Sequence, residues 1–111
     1  MRYDKFKEIH VIQILQGFLA WRYGTADNIE IFDMLVKEKR KGYGTQLVRI
    51  LLEELKETQP QLLFGFTKKN NVVAQCFYSS LGFKLTSEMG DNLLFWQNYK
   101  NLYEKIKQTK Y

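Results

Sequence analysis

The spacing of apolar and polar positions divides the chain into short elements. Residues 9–16, IHVIQILQ, are rich in branched aliphatics and predict a strand; residues 18–23, FLAWRY, predict a second, with Gly17 able to turn one into the other as a hairpin. Turn chemistry at 24–28, GTADN, leads into 29–36, IEIFDMLV, a nearly continuous apolar run of strand length with two acids embedded in it. Such a run predicts a central strand covered on both faces. After the basic loop 37–44, residues 45–58 place Leu47, Val48, Leu51, Leu52 and Leu55 on one stripe at helical spacing, with charge on the opposite side.

Pro60, the single proline, marks a turn before 62–67, LLFGFT, which reads as a strand. Residues 71–82 predict a helix with Asn71 as its cap and Gly82 as its stop, and 83–89 predict another strand. A turn at 90–92, a strand at 93–99 and a short polar helix running to Tyr111 complete the chain. The expected fold class is therefore α/β (α+β): a mixed, largely antiparallel sheet flanked by helices, with one domain over residues 1–111.

Composition narrows the function classes. With 45% hydrophobic and 15% aromatic residues the 111-residue chain can build one core, and a disordered tail is excluded. Seventeen Lys and Arg against twelve Asp and Glu give a net charge of +5, a field that steers anions without choosing between phosphates and nucleic acid. Trp21, Tyr23, Trp96 and Tyr99 stand near basic residues, as stacking platforms for nucleic acid do, but the charge is dispersed and carries no known nucleic-acid signature. Nucleic acid is therefore not the expected partner. Cys76 is the only cysteine, so no internal disulfide forms, no metal site is expected, and it reads as a helix residue. The opening segment lacks the apolar core of a signal peptide and no run approaches membrane-spanning length, which makes a cytoplasmic protein the expectation.

Candidate chemistry concentrates where the central strand runs into a helix through glycine. Backbone N–H groups at such a turn converge without partners, and an anion can satisfy them. Gly42 and Gly44 permit close backbone approach and positive φ, Lys37, Lys39, Arg40 and Lys41 surround the turn, and Thr45 offers a hydroxyl at the helix start. The nucleoside triphosphate loop pattern is missing, and the dinucleotide fingerprint fails because Leu47 stands where its third glycine would fall. A charged, solvated turn with no ligand is the competing reading of the same residues.

These residues resemble a family. The segment 39–44, KRKGYG, is similar to the loop with which the GNAT superfamily of acyl-coenzyme A N-acyltransferases binds pyrophosphate, with Lys39 in the leading position, or Arg40 if the loop is slipped by one. The segment 71–83, NVVAQCFYSSLGF, resembles the second signature of that superfamily through Asn71, Ala74, Phe77, Tyr78, Gly82 and Phe83. Both lie in the expected order, and the likeness runs from about Ile9 to Tyr99.

The resemblance implies acetyl-CoA as cosubstrate, held at Lys39, Arg40, Lys41, Gly42, Tyr43, Gly44 and Thr45, along Met34, Leu35 and Val36, and by Asn71 and Phe77. It implies direct attack by a primary amine, carbonyl polarisation by a backbone N–H of the central strand, and Tyr78 as proton donor to the leaving sulfur. Outside that motif Tyr78 would read as a core aromatic. Either Glu30 or Asp33 is the base or else a strand-end salt bridge; strand parity puts them on opposite faces, so one of them reaches the site. A non-catalytic acyl-CoA-binding or interaction module of the same fold is the alternative.

In that superfamily a strand and one or two helices usually precede the strand predicted at 9–16 and fold over the acceptor site; here that cover is expected to be missing. The acceptor pocket is then open, bounded by Gly24 to Asn28 or completed by another subunit, and suits a small amine or a protein amine. Residues 93–99, LLFWQNY, offer large apolar groups late in the chain and predict a homodimer, unless Leu93, Phe95 and Trp96 pack beneath a final helix bearing Leu102 and Ile106.

Overall fold

The structure is a computed structural model that describes residues 8–38 and 41–108. Its strands are β1 (His10–Ile14), β2 (Gly17–Tyr23), β3 (Ile29–Val36), β4 (Leu62–Lys68), β5 (Lys84–Met89) and β6 (Asn92–Asn98), and its helices α1 (Tyr43–Glu54), α2 (Val72–Leu81) and α3 (Tyr99–Lys107). They form one six-stranded sheet in the order β1-β2-β3-β4-β6-β5, with β3 and β4 parallel and every other pair antiparallel. The α1 crossover is what permits the parallel pair.

The expected mixed sheet is present, and the strand 29–36 has the bounds that its apolar run predicts. The helix expected over 45–58 runs Tyr43–Glu54 instead, and local readings differ in two further places. The hairpin between β1 and β2 turns at Leu15 and Gln16, one step before Gly17. Gly17 instead lies on the Leu35 backbone, where an added Cβ would fall 2.2 Å from the carbonyl oxygen; its bareness serves strand approach, not the turn. Likewise, β3 is central but covered on one face only.

That face holds the core. Ile12, Leu19, Trp21, Ile29, Ile31, Leu63 and Phe95 line it through the strand register, and Leu47, Val48, Leu51 and Leu52 of α1, Tyr78 and Leu81 of α2, and Leu102 and Ile106 of α3 close over it. The opposite face has no helix on it among the described residues, and it leaves Val11, Leu35 and Phe66 exposed. Register explains the split of the 93–99 segment: Phe95 faces the helices and is 1% exposed, whereas Leu94 and Trp96 face the open side.

The helices α1 and α3 cap each other. Arg49 Nη2 donates to the Ile106 carbonyl at 2.7 Å, and the Tyr99 hydroxyl donates to the Leu52 carbonyl at 2.7 Å, so acceptors in the last turn of each helix gain partners. Burial, then the neighbouring Tyr103 and Glu53, push the Tyr99 pKa up to about 12 from an ordinary value of 10.0. The folded protein thus keeps a proton that the unfolded chain releases near pH 10, so this contribution to stability is complete below that pH and is lost as pH rises towards 12. Tyr99→Phe is expected to lower stability by about 1–2 kcal/mol at neutral pH and to flatten part of the fall between about pH 10 and 12, as followed by urea unfolding.

Candidate active site

The parallel pairing of β3 and β4 is short. Only Ile29 with Leu63 and Glu30 with Phe64 are in register, although β3 continues to Val36 and β4 to Lys68. Beyond Glu30 the strands part, and the β4-facing side of the later β3 backbone has no strand partner among the described residues. A strand interior with unpaired N–H and C=O groups is a ready hydrogen-bonding edge for an extended ligand. Gly65 lies at the mouth of this opening: an added Cβ would fall 2.3 Å from the Phe95 ring and 2.5 Å from the Ile31 carbonyl oxygen. Sequence reading passed over Gly65, although a glycine inside an apolar strand is a signal of close approach.

Past its last residue β3 leads through 37–42 into the start of α1. The N-cap, Gly42, has φ 81° in the left-handed region, which glycine adopts at least cost, and no side chain among the described residues caps the helix. No acid lies in the first turn, and Gln46 N–H, at 2.9 Å from the Gly42 carbonyl, makes the first helical bond. The N–H groups of Tyr43, Gly44 and Thr45 are therefore available to an anion at the positive end of the helix dipole. Lys37 and Lys41 flank the turn and are exposed, while Lys39 and Arg40 lie outside the described residues.

Gly44 is helical, and its missing Cβ has a different purpose from that of Gly42. A Cβ there would fall 2.8 Å from the Phe77 ring, so Gly44 lets α2 close on the first turn of α1. Phe77 thereby buttresses the first turn of α1. The start of α2 is capped conventionally: Asn71 Oδ1 accepts from Ala74 N–H at 3.0 Å, and Gly82 ends the helix at φ 109°. Asn71 is thus committed to its own helix.

Tyr78 stacks on Phe95, with ring centroids 3.8 Å apart and 11° between planes, and meets Phe83 and Phe77 edge-on. Its hydroxyl has no hydrogen-bond partner among the described residues. Burial lifts its pKa well above the ordinary tyrosine value, and the Asp33 carboxylate adds to the rise. The phenol is accordingly neutral, and a proton donor, throughout the physiological range.

The two acids of β3 have separate fates. Register pairs Arg22 with Glu30 and Ala20 with Asp33, and shifts between Ala20 and Trp21 so that Phe32 is an extra residue in β3. This bulge overturns the parity expectation. Ala20 and Arg22 share a face of β2, so Glu30 and Asp33 share the open face of β3. Glu30 Oε1 accepts from Arg22 Nε at 2.9 Å, a cross-strand ion pair, whereas Asp33 makes no ion pair among the described residues and its charge adds to the rise in the Tyr78 pKa. Met34 and Val36 turn back to the helix-covered face, and Leu35 is exposed. Among the described residues no group of three His, Cys, Asp or Glu could hold a metal ion, and no helix is long and apolar enough to cross a membrane.

Known proteins resemble this chain in sequence and in fold. Residues 12–90 match the family of the FR47-like protein. A curated relative from Bacillus subtilis (strain 168), the uncharacterized N-acetyltransferase YobR, is 30% identical over 88 residues, which are 78% of this chain and 32% of that protein. The PaiA N-acetyltransferase from Thermoplasma acidophilum, crystallised with coenzyme A, superposes with a TM-score of 0.70 at 21% identity, over 76% of this chain and 54% of its own. A Bacillus subtilis acetyltransferase in complex with CoA gives 0.65 at 18% identity, over 77% and 70%. The ribosomal-protein-S18-alanine N-acetyltransferase of Escherichia coli gives 0.62 at 21%, over 76% and 61%. The chain thus spans about a third of the curated relative and between half and seven tenths of these structures. With the family match running through the parted strands, the uncapped helix and the α2 signature, the chain belongs to the FR47-like family of the GNAT superfamily.

Proposed function

We propose that this chain is an acetyl-CoA-dependent N-acetyltransferase domain, formed by residues 1–111, that transfers an acetyl group to a primary amine by direct attack. The observation that carries the reading is a pair of unsatisfied backbone surfaces among the described residues, the parted edge of β3 and the uncapped start of α1, on elements that follow one another in the chain. A diphosphate fits the N–H groups of Tyr43, Gly44 and Thr45 with Lys37 and Lys41 beside them, and an extended amide-bearing arm fits along Met34, Leu35 and Val36. Lys39 and Arg40 add charge to the same loop in this reading, Phe77 supports the turn, and Asn71 acts through its cap on α2.

The bound cosubstrate supplies an activated thioester, and little covalent chemistry is left to the protein. A β3 N–H in the parted segment donates to the acyl oxygen as charge develops there. Asp33, on the open face and free of an ion pair among the described residues, takes the proton from the incoming ammonium, directly or through water. Glu30, held by Arg22, is the lesser candidate for that role. Tyr78 holds its proton at the phenol oxygen and offers it to the departing sulfur.

Titration calorimetry of the purified protein with coenzyme A is expected to give saturable, one-to-one binding with a Kd below about 1 mM, near −4.1 kcal/mol or tighter. A protein shown to be folded that gives no saturable heat at millimolar ligand overturns the proposal. Saturable binding with no thiol release from acetyl-CoA across a set of primary amines leaves a binding module in its place.

A further inference from the structure

The open face of the sheet carries an apolar groove directly beside the parted strands. Its floor is Leu62, Phe64 and Phe66 of β4 with Leu94 and Trp96 of β6, enclosing about 480 Å³ that is open to solvent. Phe64 belongs to the last β3–β4 pair in register and Phe66 to the first position beyond it on the same face, so the groove begins where the opening begins. The 24–28 turn comes up against one of these rings, since a Cβ on Gly24 would fall 3.0 Å from the Phe64 ring. The opposite face of the sheet is filled by the helical core, so a second reactant reaches the opening from this side.

Charge gives the groove a direction. Lys84 Nζ lies 4.9 Å from the centroid of the Trp96 ring and makes the β5 flank positive. Across the groove, the β3 flank carries Asp33 and the Glu30–Arg22 pair, of which Asp33 makes no ion pair among the described residues. A cationic amine is repelled at one flank and attracted at the other, while its carbon body is attracted by the rings between.

We infer that this groove takes the acceptor, and that the acceptor is a primary amine on an apolar body of about the size of a phenylethyl group, lying on Phe64, Phe66 and Trp96 with its ammonium towards Asp33. The inference rests on the acyl-transfer reading for its chemistry but is tested apart from it. In the protein labelled with ¹⁵N-tryptophan, the two indole signals report separate faces: Trp21 is buried under the helices, and Trp96 forms the groove floor.

Titration with 2-phenylethylamine is expected to move the Trp96 signal to saturation and leave Trp21 in place, at concentrations where ethanolamine, of similar amine basicity, produces less than a tenth of the shift. Phe66→Ala, at a position 41% exposed, should weaken phenylethylamine at least tenfold without altering coenzyme A binding, and Phe66→Leu should restore most of the loss. In the transfer assay the kcat/KM ratio of the two amines should exceed ten and collapse in Phe66→Ala. A Trp96 signal that stays still, or that responds alike to both amines, overturns the inference. So does a dimer in sedimentation that Phe66→Glu dissociates, because a second copy then occupies the groove. A Trp96 response in a protein that fails to bind coenzyme A keeps the amine groove and removes the acyl-transfer reading instead.

Discussion

Gly42→Asp is expected to weaken coenzyme A binding by roughly 30- to 100-fold, about 2–3 kcal/mol, with the fold retained. Gly42 holds φ 81° at the N-cap of α1, a conformation that Asp and Asn enter more readily than other L-residues. Either substitution should therefore lower stability by a similar amount, about 1 kcal/mol. Only Asp adds a negative charge beside the free N–H groups of Tyr43, Gly44 and Thr45. Two unit charges about 4 Å apart repel by about 4 kcal/mol at an effective dielectric of 20, and solvent exposure with salt reduces that figure. Gly42→Asn should lose less than tenfold in the same calorimetric titration. Equal losses in the two variants would assign the effect to backbone conformation, and no loss in either would move the anion away from α1.

The second large effect is expected at Tyr78. Tyr78→Phe keeps the ring that stacks on Phe95 and removes a hydroxyl with no hydrogen-bond partner among the described residues, so stability should change little. Turnover should fall by roughly 100- to 10,000-fold if the phenol donates its proton to the departing sulfur, while the KM for acetyl-CoA stays within about threefold. The selectivity for kcat follows because the donated hydrogen bond strengthens as charge builds on sulfur and is weak before that. Burial and Asp33 hold the phenol protonated well beyond the ordinary tyrosine range. The wild-type rate should accordingly show no loss from Tyr78 ionisation between about pH 8 and 10, where an ordinary tyrosine begins to lose its proton. Matched losses in kcat and in acetyl-CoA affinity would make Tyr78 a binding residue, and unchanged turnover would make it a core aromatic.

Much of the fold was legible because local signals and tertiary context agree. The leucine stripe of α1, the Asn71 and Gly82 boundaries of α2 and the extent of β3 are all set by interactions within a few residues, and they appear where the pattern puts them. The final helix also buries Leu102 and Ile106 as the rival to a dimer anticipated, yet Trp96 turns to the open side while Phe95 goes beneath the helices. Strand alternation forces that division, since neighbours in a strand cannot share a face.

The site was legible only as a set of residue types. The order of the two signatures along the chain points to the loop before α1 and to Tyr78, and a glycine pair following four cations is compatible with an anion site as well as with a solvated turn. Which glycine does what is a tertiary matter: Gly42 needs its positive φ, whereas Gly44 needs space for Phe77, a residue 33 positions away. The parting of β3 from β4 is likewise invisible locally, because it depends on where two distant segments stop pairing. The bulge at Phe32 reverses the expected relation of Glu30 and Asp33, since one inserted residue flips every later side chain to the other face. Arg22 then neutralises Glu30 and leaves Asp33 without an ion pair among the described residues, a distinction between two acids three residues apart that only cross-strand register could make. The sequence by itself determined the elements, their order and the chemistry available, all of which arise from short-range periodicity and residue type. The tertiary structure decided which backbone edge stays unpaired, which acid stays free and which face stays open, because each depends on contacts between segments that the chain brings together only on folding.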